Sequence, residues 1–274
     1  MEQSFLNNES FESPFANRGA ELPKVSIITV VFNGINDIEH TILSVLNQTY
    51  LRLEYIVVDG GSRDGTLDVL RKYSERIDHL ISERDRGIYD AMNKGLALAA
   101  GEWVCFMNCG DEFVDNEAIS RVFSGRNYDE VAFVYGLTEV KYNNFSKIQK
   151  LGCLKQLEYE MPFCHQSVFS RLSYHKENKF NIKNKITADF EFFRKAFLSG
   201  QKFKFVNFSI ARITPGGLSD GNRIRSYLSL WKTAGHKEFK INAYFLLKLF
   251  GEFWKNIVKN VIGVRLTNLV IKKL

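Results

Sequence analysis

At 274 residues, with 45% hydrophobic and 25% charged side chains, the chain suits one large α/β domain, or a domain with a small appendage, and not a fibrous or disordered protein. Its net charge of +6 is uneven: eleven Lys and Arg against Glu238 and Glu252 give residues 221–274 an excess of +9, which leaves −3 on residues 1–220. That distribution points to an anionic surface beside the tail rather than a basic catalytic face, and no nucleic-acid partner is expected.

Residues 1–22 show no stable period and read as a mobile leader. They lack the apolar stretch of a signal peptide, so the protein is expected to stay in the cytosol. Val25 to Phe32 is an uninterrupted apolar run rich in β-branched residues, the pattern of a strand covered on both faces. Asn33 and Gly34 turn the chain into a helix whose buried stripe is Ile38, Ile42, Val45, Leu46 and Thr49. A second strand, Leu53 to Val58, ends at Asp59. Asp64, Gly65 and Thr66 open a helix carrying Leu67, Leu70 and Tyr73, with Asp64 as its natural cap.

Asp78 to Ser82 predicts a short third strand, Tyr89 to Ala100 a longer helix closed by Gly101, and Trp103 to Met107 a central strand. Strand and helix alternate through three crossovers, which predicts a mostly parallel sheet. Beyond Asp111, Val131 to Tyr135 and Thr138 to Tyr142 read as strands of a mixed sheet, Asp189 to Phe197 as a helix and Lys204 to Ile213 as a late strand. The Gly-rich loop Pro215 to Asn222 is placed to act as a lid or as a simple turn. Twenty-three Phe and eleven Tyr exceed what a minimal core needs, and fit either an aromatic core or an oily acceptor groove.

Carboxylates punctuate this βαβ pattern at the edge where open α/β folds bind ligands. Asp59, followed by two glycines, can accept hydrogen bonds from a base or a ribose; its plainer role is a cap. Glu83, Asp85 and Asp90 crowd Arg84, Arg86 and Gly87 between a strand and a helix, a charge density costly to bury unless paired or ligated. Asp111, just past a central strand, can hold a divalent cation. Asp189 can deprotonate an acceptor hydroxyl, while His165 and Gln166 can position the sugar or the acceptor. The cysteines, Cys105, Cys109, Cys153 and Cys164, form no paired CxxC units, so neither a zinc site nor a disulfide framework is expected.

Taken together, V-S-I-I-T-V-V-F-N, V-V-D-G-G-S-R-D-G-T, E-x-D-x-G-I-Y-D-A-M-N-K-G, M-N-C-G-D and the late A-D-F-E resemble a family 2 glycosyltransferase over roughly Val25 to Ser219. P-F-C-H-Q is similar to the colanic-acid-type enzymes of bacterial polysaccharide and lipopolysaccharide synthesis. The resemblance implies a GT-A fold, Rossmann-like, with a nucleotide-binding part at about residues 23–112, an acceptor part at about 113–220 and a basic amphipathic extension at 221–274. It implies that the segment of Thr29, Val31 and Asn33 walls the nucleotide pocket and that Asp59 contacts the base. Asp85 would lie near the ribose, with Gly87 and Asn93 of the same motif on the donor side. Asp111 would hold Mg²⁺ or Mn²⁺ at the diphosphate, and Asp189 would be the base of an inverting transfer. The donor would be a nucleoside diphosphate sugar, UDP-linked by preference, and the acceptor a lipid-linked oligosaccharide or growing surface glycan; a homodimer is compatible.

One departure is that the metal motif, often richer in carboxylates, here reads Asn108, Cys109, Gly110, Asp111. The chain also lacks the Q-x-x-R-W pattern and the long apolar runs of processive synthases, which favours single addition. A sugar-nucleotide pyrophosphorylase would carry a Gly-rich, Arg-containing loop after the first strand, where V-F-N-G-I-N-D stands, and an oxidoreductase would need G-x-G-x-x-G. A non-catalytic nucleotide-sugar-binding scaffold remains the non-enzyme alternative. In the tail, Leu246, Leu249, Phe250, Phe253, Ile257, Val261 and Val264 are expected to share one helical face flanked by Lys248, Lys255 and Lys259. That face would lie on an anionic bilayer at the cytoplasmic face of the inner membrane, or pack on protein.

Overall fold

The structure is a computed structural model and describes residues 22–142, 145–216, 223–235 and 239–262. The leader, most of the Pro215 to Asn222 loop, and Val264 in the tail lie outside the described residues. The first half alternates strand and helix as the pattern predicts: β1 (Val25–Val31), α1 (Ile38–Leu46), β2 (Leu53–Asp59), α2 (Thr66–Lys72), β3 (His79–Ser82), α3 (Ile88–Leu98) and β4 (Trp103–Phe106). Every residue of β1 is buried, because β2 and β4 pair with it in parallel and helices cover both faces.

The second half adds β5 (Glu112–Phe113), α4 (Ala118–Phe123), β6 (Phe133–Lys141), β7 (Ser146–Ile148), β8 (Val168–Arg171), α5 (Leu172–Glu177), α6 (Ala188–Leu198) and β9 (Phe203–Ile213). Then come α7 (Arg223–Ala234) and α8 (Phe239–Ile262). The sheet order is β3-β2-β1-β4-β8-β6-β9-β5, with β7 on β6. Parallel pairing runs from β3 to β4; β8 then enters antiparallel to both β4 and β6. This corrects the expectation of a mostly parallel sheet: the sheet is mixed and curls into a half-barrel. The alternating sequence rhythm reports only the crossovers, whereas β8 inserts from residues far along the chain.

The two strands expected at 131–142 are one, β6, whose pairing with β9 shifts register around Leu137. Gly136 sits at that irregularity, where a Cβ would lie 2.7 Å from the Phe208 carbonyl oxygen. Helices α1, α2 and α4 close one face of the sheet over Trp103, Phe123 and Phe169; α3, α5 and α6 close the other over an aromatic cluster of Phe106, Phe133, Phe163, Phe180, Phe192 and Phe193. The aromatic excess therefore goes largely into the core of the second half.

Candidate active site

The loops after β1, β2 and β4 meet at one edge, stitched by side-chain to backbone hydrogen bonds. Asn33, at φ 52°, donates its N–H to Ser62 Oγ (2.7 Å) and accepts from the Arg63 N–H at Oδ1 (2.9 Å). Asp64 accepts from the Ile35 N–H (3.0 Å) and the Thr66 N–H (3.0 Å), so it caps α2 and ties it to the first loop. The Thr66 hydroxyl hydrogen bond, ahead of the backbone donors, holds the Asp64 carboxyl below its ordinary range.

Asp59 is fully buried at the end of β2 and accepts from Ser62 Oγ (2.5 Å), Ser82 Oγ (2.6 Å) and the Ser62 N–H (3.2 Å). Asp85 reaches the same place from the loop after β3. Its Oδ1 accepts from the Gly87 N–H (2.7 Å), and its Oδ2 lies 2.3 Å from where a Cβ on Gly60 would stand. The glycine after Asp59 is thus the space that Asp85 occupies. Exposed Phe32 flanks this contact. Gly87, with φ +117°, opens α3, where Asp90 accepts from the Arg86 N–H (3.0 Å) and guanidinium (2.8 Å). Those charge-assisted bonds depress the Asp90 carboxyl and make it a structural cap.

A second cluster stands across the edge. Asp111, 9% exposed, accepts from Gln166 Nε2 (2.6 Å), and the Gln166 Oε1 accepts from the Cys164 thiol (2.6 Å). Burial pushes the Asp111 carboxyl up to about 6, against the lowering effect of Gln166. On α6, Asp189 accepts from the Tyr89 hydroxyl at Oδ1 (2.9 Å) and from His165 Nδ1 at Oδ2 (3.1 Å). The other imidazole nitrogen, Nε2, faces the Asn108 amide nitrogen at 3.0 Å. Burial works to raise the Asp189 carboxyl, but His165 and the Tyr89 hydroxyl outweigh it and hold it below the ordinary carboxylate range. Its side chain remains 18% exposed, so the carboxylate is oriented by two donors and keeps an open side.

For a divalent cation, this cluster offers the Asp111 carboxylate, and no group of three or more His, Cys, Asp and Glu gathers among the described residues. Two observations fit a cation supported chiefly by the ligand's own oxygens. The Asp111 charge is destabilised by burial, and the neighbouring Asn108 Oδ1 is buried without a hydrogen-bond partner.

Residues 26–199 match the family model for glycosyl transferase family 2. The chain belongs to that family. It is 31% identical over 176 residues to a PGL/p-HBAD biosynthesis glycosyltransferase of Mycobacterium bovis, an alignment covering 62% of this chain and 68% of the relative. It is 32% identical over 152 residues to the putative teichuronic acid biosynthesis glycosyltransferase TuaG of Bacillus subtilis, covering 48% and 60%. Its fold matches S. aureus TarS 1–349 in complex with UDP-GlcNAc at TM-score 0.65 and 19% identity, over 88% of this chain and 76% of that one. It also matches the Pyrobaculum calidifontis mannosyltransferase PcManGT in complex with GDP-Man and Mn²⁺, at TM-score 0.64 and 17% identity, over 92% and 79%. The fold is GT-A-like, and this family 2 transferase is an enzyme that uses a nucleotide sugar. The pyrophosphorylase and oxidoreductase alternatives fall away.

The structure brings Asp59 to Asp85, and Asp111 to Gln166, His165 and Asp189. The side chains of two residues expected on the donor side are committed within the fold. Thr29 is fully buried inside β1, its hydroxyl donating to the Met107 carbonyl (2.8 Å) beside the Tyr55 hydroxyl (3.0 Å), so its side chain faces the core and not a nucleotide. Asn93 uses its whole amide on the Phe180 backbone, donating to the carbonyl (2.9 Å) and accepting from the N–H (3.0 Å); it anchors the segment leading to α6. Val31 is buried and serves through its carbonyl, which accepts from the Gly60 N–H (2.8 Å). Sequence reasoning missed Tyr89, Ser62 and Ser82 as partners of the carboxylates and Asn108 as a partner of His165. Tyr89 and Asn108 stand inside the motifs G-I-Y-D and M-N-C-G-D, where a hydroxyl and an amide among apolar residues were the available signal.

Proposed function

We propose that the protein moves one sugar from a nucleoside diphosphate sugar, preferentially a UDP-sugar, to a hydroxyl of a lipid-linked or growing bacterial surface glycan, inverting the anomeric centre. The observation that carries this reading is the Asp189 carboxylate, kept ionised by His165 and Tyr89 while one side stays open. Asp189 takes the proton of the acceptor hydroxyl as its oxygen attacks the anomeric carbon, and the bond from that carbon to the diphosphate oxygen breaks on the opposite side. Inversion follows from this single displacement.

Asp59 and Asp85, converging at Gly60, receive the base and ribose; Asn33 shapes the same wall through the Ser62 loop. Asp111 would hold Mg²⁺ or Mn²⁺, which supplies positive charge to offset that developing on the leaving diphosphate. Gln166 orients Asp111, and His165 orients the base. The colanic-acid-type likeness belongs to this proposal; the relatives named above serve other biosynthetic routes. The enzyme would work at the cytoplasmic face of the inner membrane, where a lipid-linked acceptor is presented.

The test is Asp189→Asn with donor binding measured alongside turnover. A general base contributes roughly 10²- to 10⁴-fold, so transfer should fall by at least about a hundredfold while UDP binding, titrated calorimetrically with and without Mn²⁺, stays as in the wild type. Wild-type turnover in the variant would remove Asp189 from the mechanism. Failure of the wild-type protein to bind either UDP or GDP would remove the donor assignment.

A further inference from the structure

Helix α8 runs 24 residues, Phe239–Ile262, about 36 Å at 1.5 Å per residue, and its two sides are treated differently. One side is committed to protein. Phe245 is fully buried with its ring stacked on Trp231 of α7 (6.0 Å), Trp231 Nε1 donates to Asn242 Oδ1 (2.8 Å), and the Tyr244 hydroxyl donates to a Glu160 carboxylate oxygen. The opposite side is apolar and open: Phe239 (86% exposed), Leu247 (73%), Phe250 (61%), with Leu246, Phe253 and Trp254 about half exposed. At about 100° per residue these six fall within an arc of about 120°. A contiguous stripe of that kind on a folded surface marks an interaction site.

The charge around the stripe selects the partner. Residues 221–274 carry eleven Lys and Arg against two Glu. Within α8, Lys240 borders the stripe, whereas Lys248 and Lys255, expected to flank it, lie on the far side of the helix, Lys248 over the Tyr227 and Tyr244 rings (5.6 and 5.2 Å) and 3.9 Å from Glu160; the single carboxylate, Glu252, is drawn to Lys255 (2.8 Å) and Arg223 (4.0 Å). On the other side of α7 lies a cleft of about 910 Å³ whose charged lining is Lys183, Lys185, Arg194, Lys195 and Lys232 against Glu191 alone. That carboxylate is in turn occupied by the amides of Asn181 and Asn184. A second protein surface would bring its own carboxylates to so basic a region only by special design, whereas an anionic bilayer supplies negative charge beside an apolar phase everywhere. No helix among the described residues is long and apolar enough to cross a membrane, so the stripe is built to lie along one.

We propose that α8 is a peripheral docking surface for an anionic lipid bilayer, its Phe239, Leu247, Phe250 and Trp254 side entering the headgroup region while Lys240 at the edge of that side and the excess positive charge of residues 221–274 draw it to lipid phosphates. The side of buried Phe245, stacked on half-buried Trp231, holds the catalytic body on the helix, so docking sets the distance of the active site from the bilayer. This surface differs from the face expected from the sequence, since Leu247 and Trp254 join it and Leu249 turns partly inward.

The experiment is flotation of the full chain with vesicles of phosphatidylcholine containing about one-third phosphatidylglycerol, beside phosphatidylcholine alone, with the size of each protein measured by light scattering. The wild type should float with the anionic vesicles, weakly with the neutral ones, and less as salt rises. A Leu247→Glu, Phe250→Glu double variant, altered only at exposed positions, should keep the wild-type melting temperature and size and lose flotation by about tenfold or more. Absence of wild-type flotation, equal flotation of the two proteins, or equal binding to neutral vesicles would overturn the proposal. So would a wild-type dimer that the substitutions convert to monomer, because a second copy would then cover the stripe. Flotation reads no turnover, so its failure leaves the transfer chemistry to be judged on Asp189→Asn.

Discussion

Replacing His165 by Phe keeps a ring of similar size and deletes the N–H that reaches Asp189 Oδ2 at 3.1 Å. Asp189 then retains the Tyr89 hydroxyl at 2.9 Å while remaining largely buried, and burial acts to raise its pKa. A hydrogen bond to an ionised group contributes about 1.5–3 kcal/mol, and losing it leaves burial to raise the Asp189 pKa. The reaction needs the carboxylate form. In the wild type the depressed pKa keeps the carboxylate ionised into acid; in His165→Phe the acid limb of kcat/KM should move to higher pH, so the loss of rate is greater on the acid side than on the alkaline side. His165→Gln, whose amide can donate in the same direction, should move the limb part of the way back. A uniform fall in rate at every pH, with the limb unmoved, would refute this reasoning and assign His165 to the acceptor instead of the base.

Gly60→Ala puts a methyl 2.3 Å from Asp85 Oδ2; Asp85 must leave its place, and UDP should bind about tenfold more weakly by calorimetry while the melting temperature changes little. Gln166→Leu removes the side-chain amide that donates to Asp111 and should weaken Mn²⁺-dependent nucleotide binding by about tenfold, leaving binding in chelator unchanged. His175 is buried with both ring nitrogens unpaired, stacked on Phe192 at 4.2 Å, and burial pushes its pKa down to about 3. As pH falls below about 6.5 the unfolded chain gains a proton that the folded one refuses, so stability drops by about 1.4 kcal/mol per pH unit until about pH 3. His175→Phe should abolish that component and, by removing unpaired polar atoms, add about 1–3 kcal/mol at neutral pH. Thermal unfolding at two pH values checks both, and an unchanged slope would mean that His175 protonates in place.

The parts of this protein legible in its sequence are those written locally. An apolar run such as Val25–Val31 is covered on both faces because nothing in it tolerates water. A run that ends in Asp, followed by Gly, leaves a carboxylate at a sheet edge with room beside it, as at Asp59, and Asp111 lies just past a central apolar strand; the place of Asp85 beside them came from the family resemblance. The tertiary structure decided what lies between distant segments. Tyr89 and Asp189 are one hundred residues apart, His165 and Asn108 fifty-seven, and their hydrogen bonds exist only because α3, α6 and the loop after β4 converge. The same holds for β8, whose four residues carry no rhythm of their own and whose antiparallel entry turns a parallel sheet into a mixed one. It holds also for Asn93, a polar residue on a motif helix that went to the Phe180 backbone instead of the donor. In α8 the sequence determined that the helix is amphipathic and basic. Only packing decided which apolar side chains were spent on α7, because Phe245 and Phe250 are alike in hydrophobicity and differ only in the neighbour each one meets.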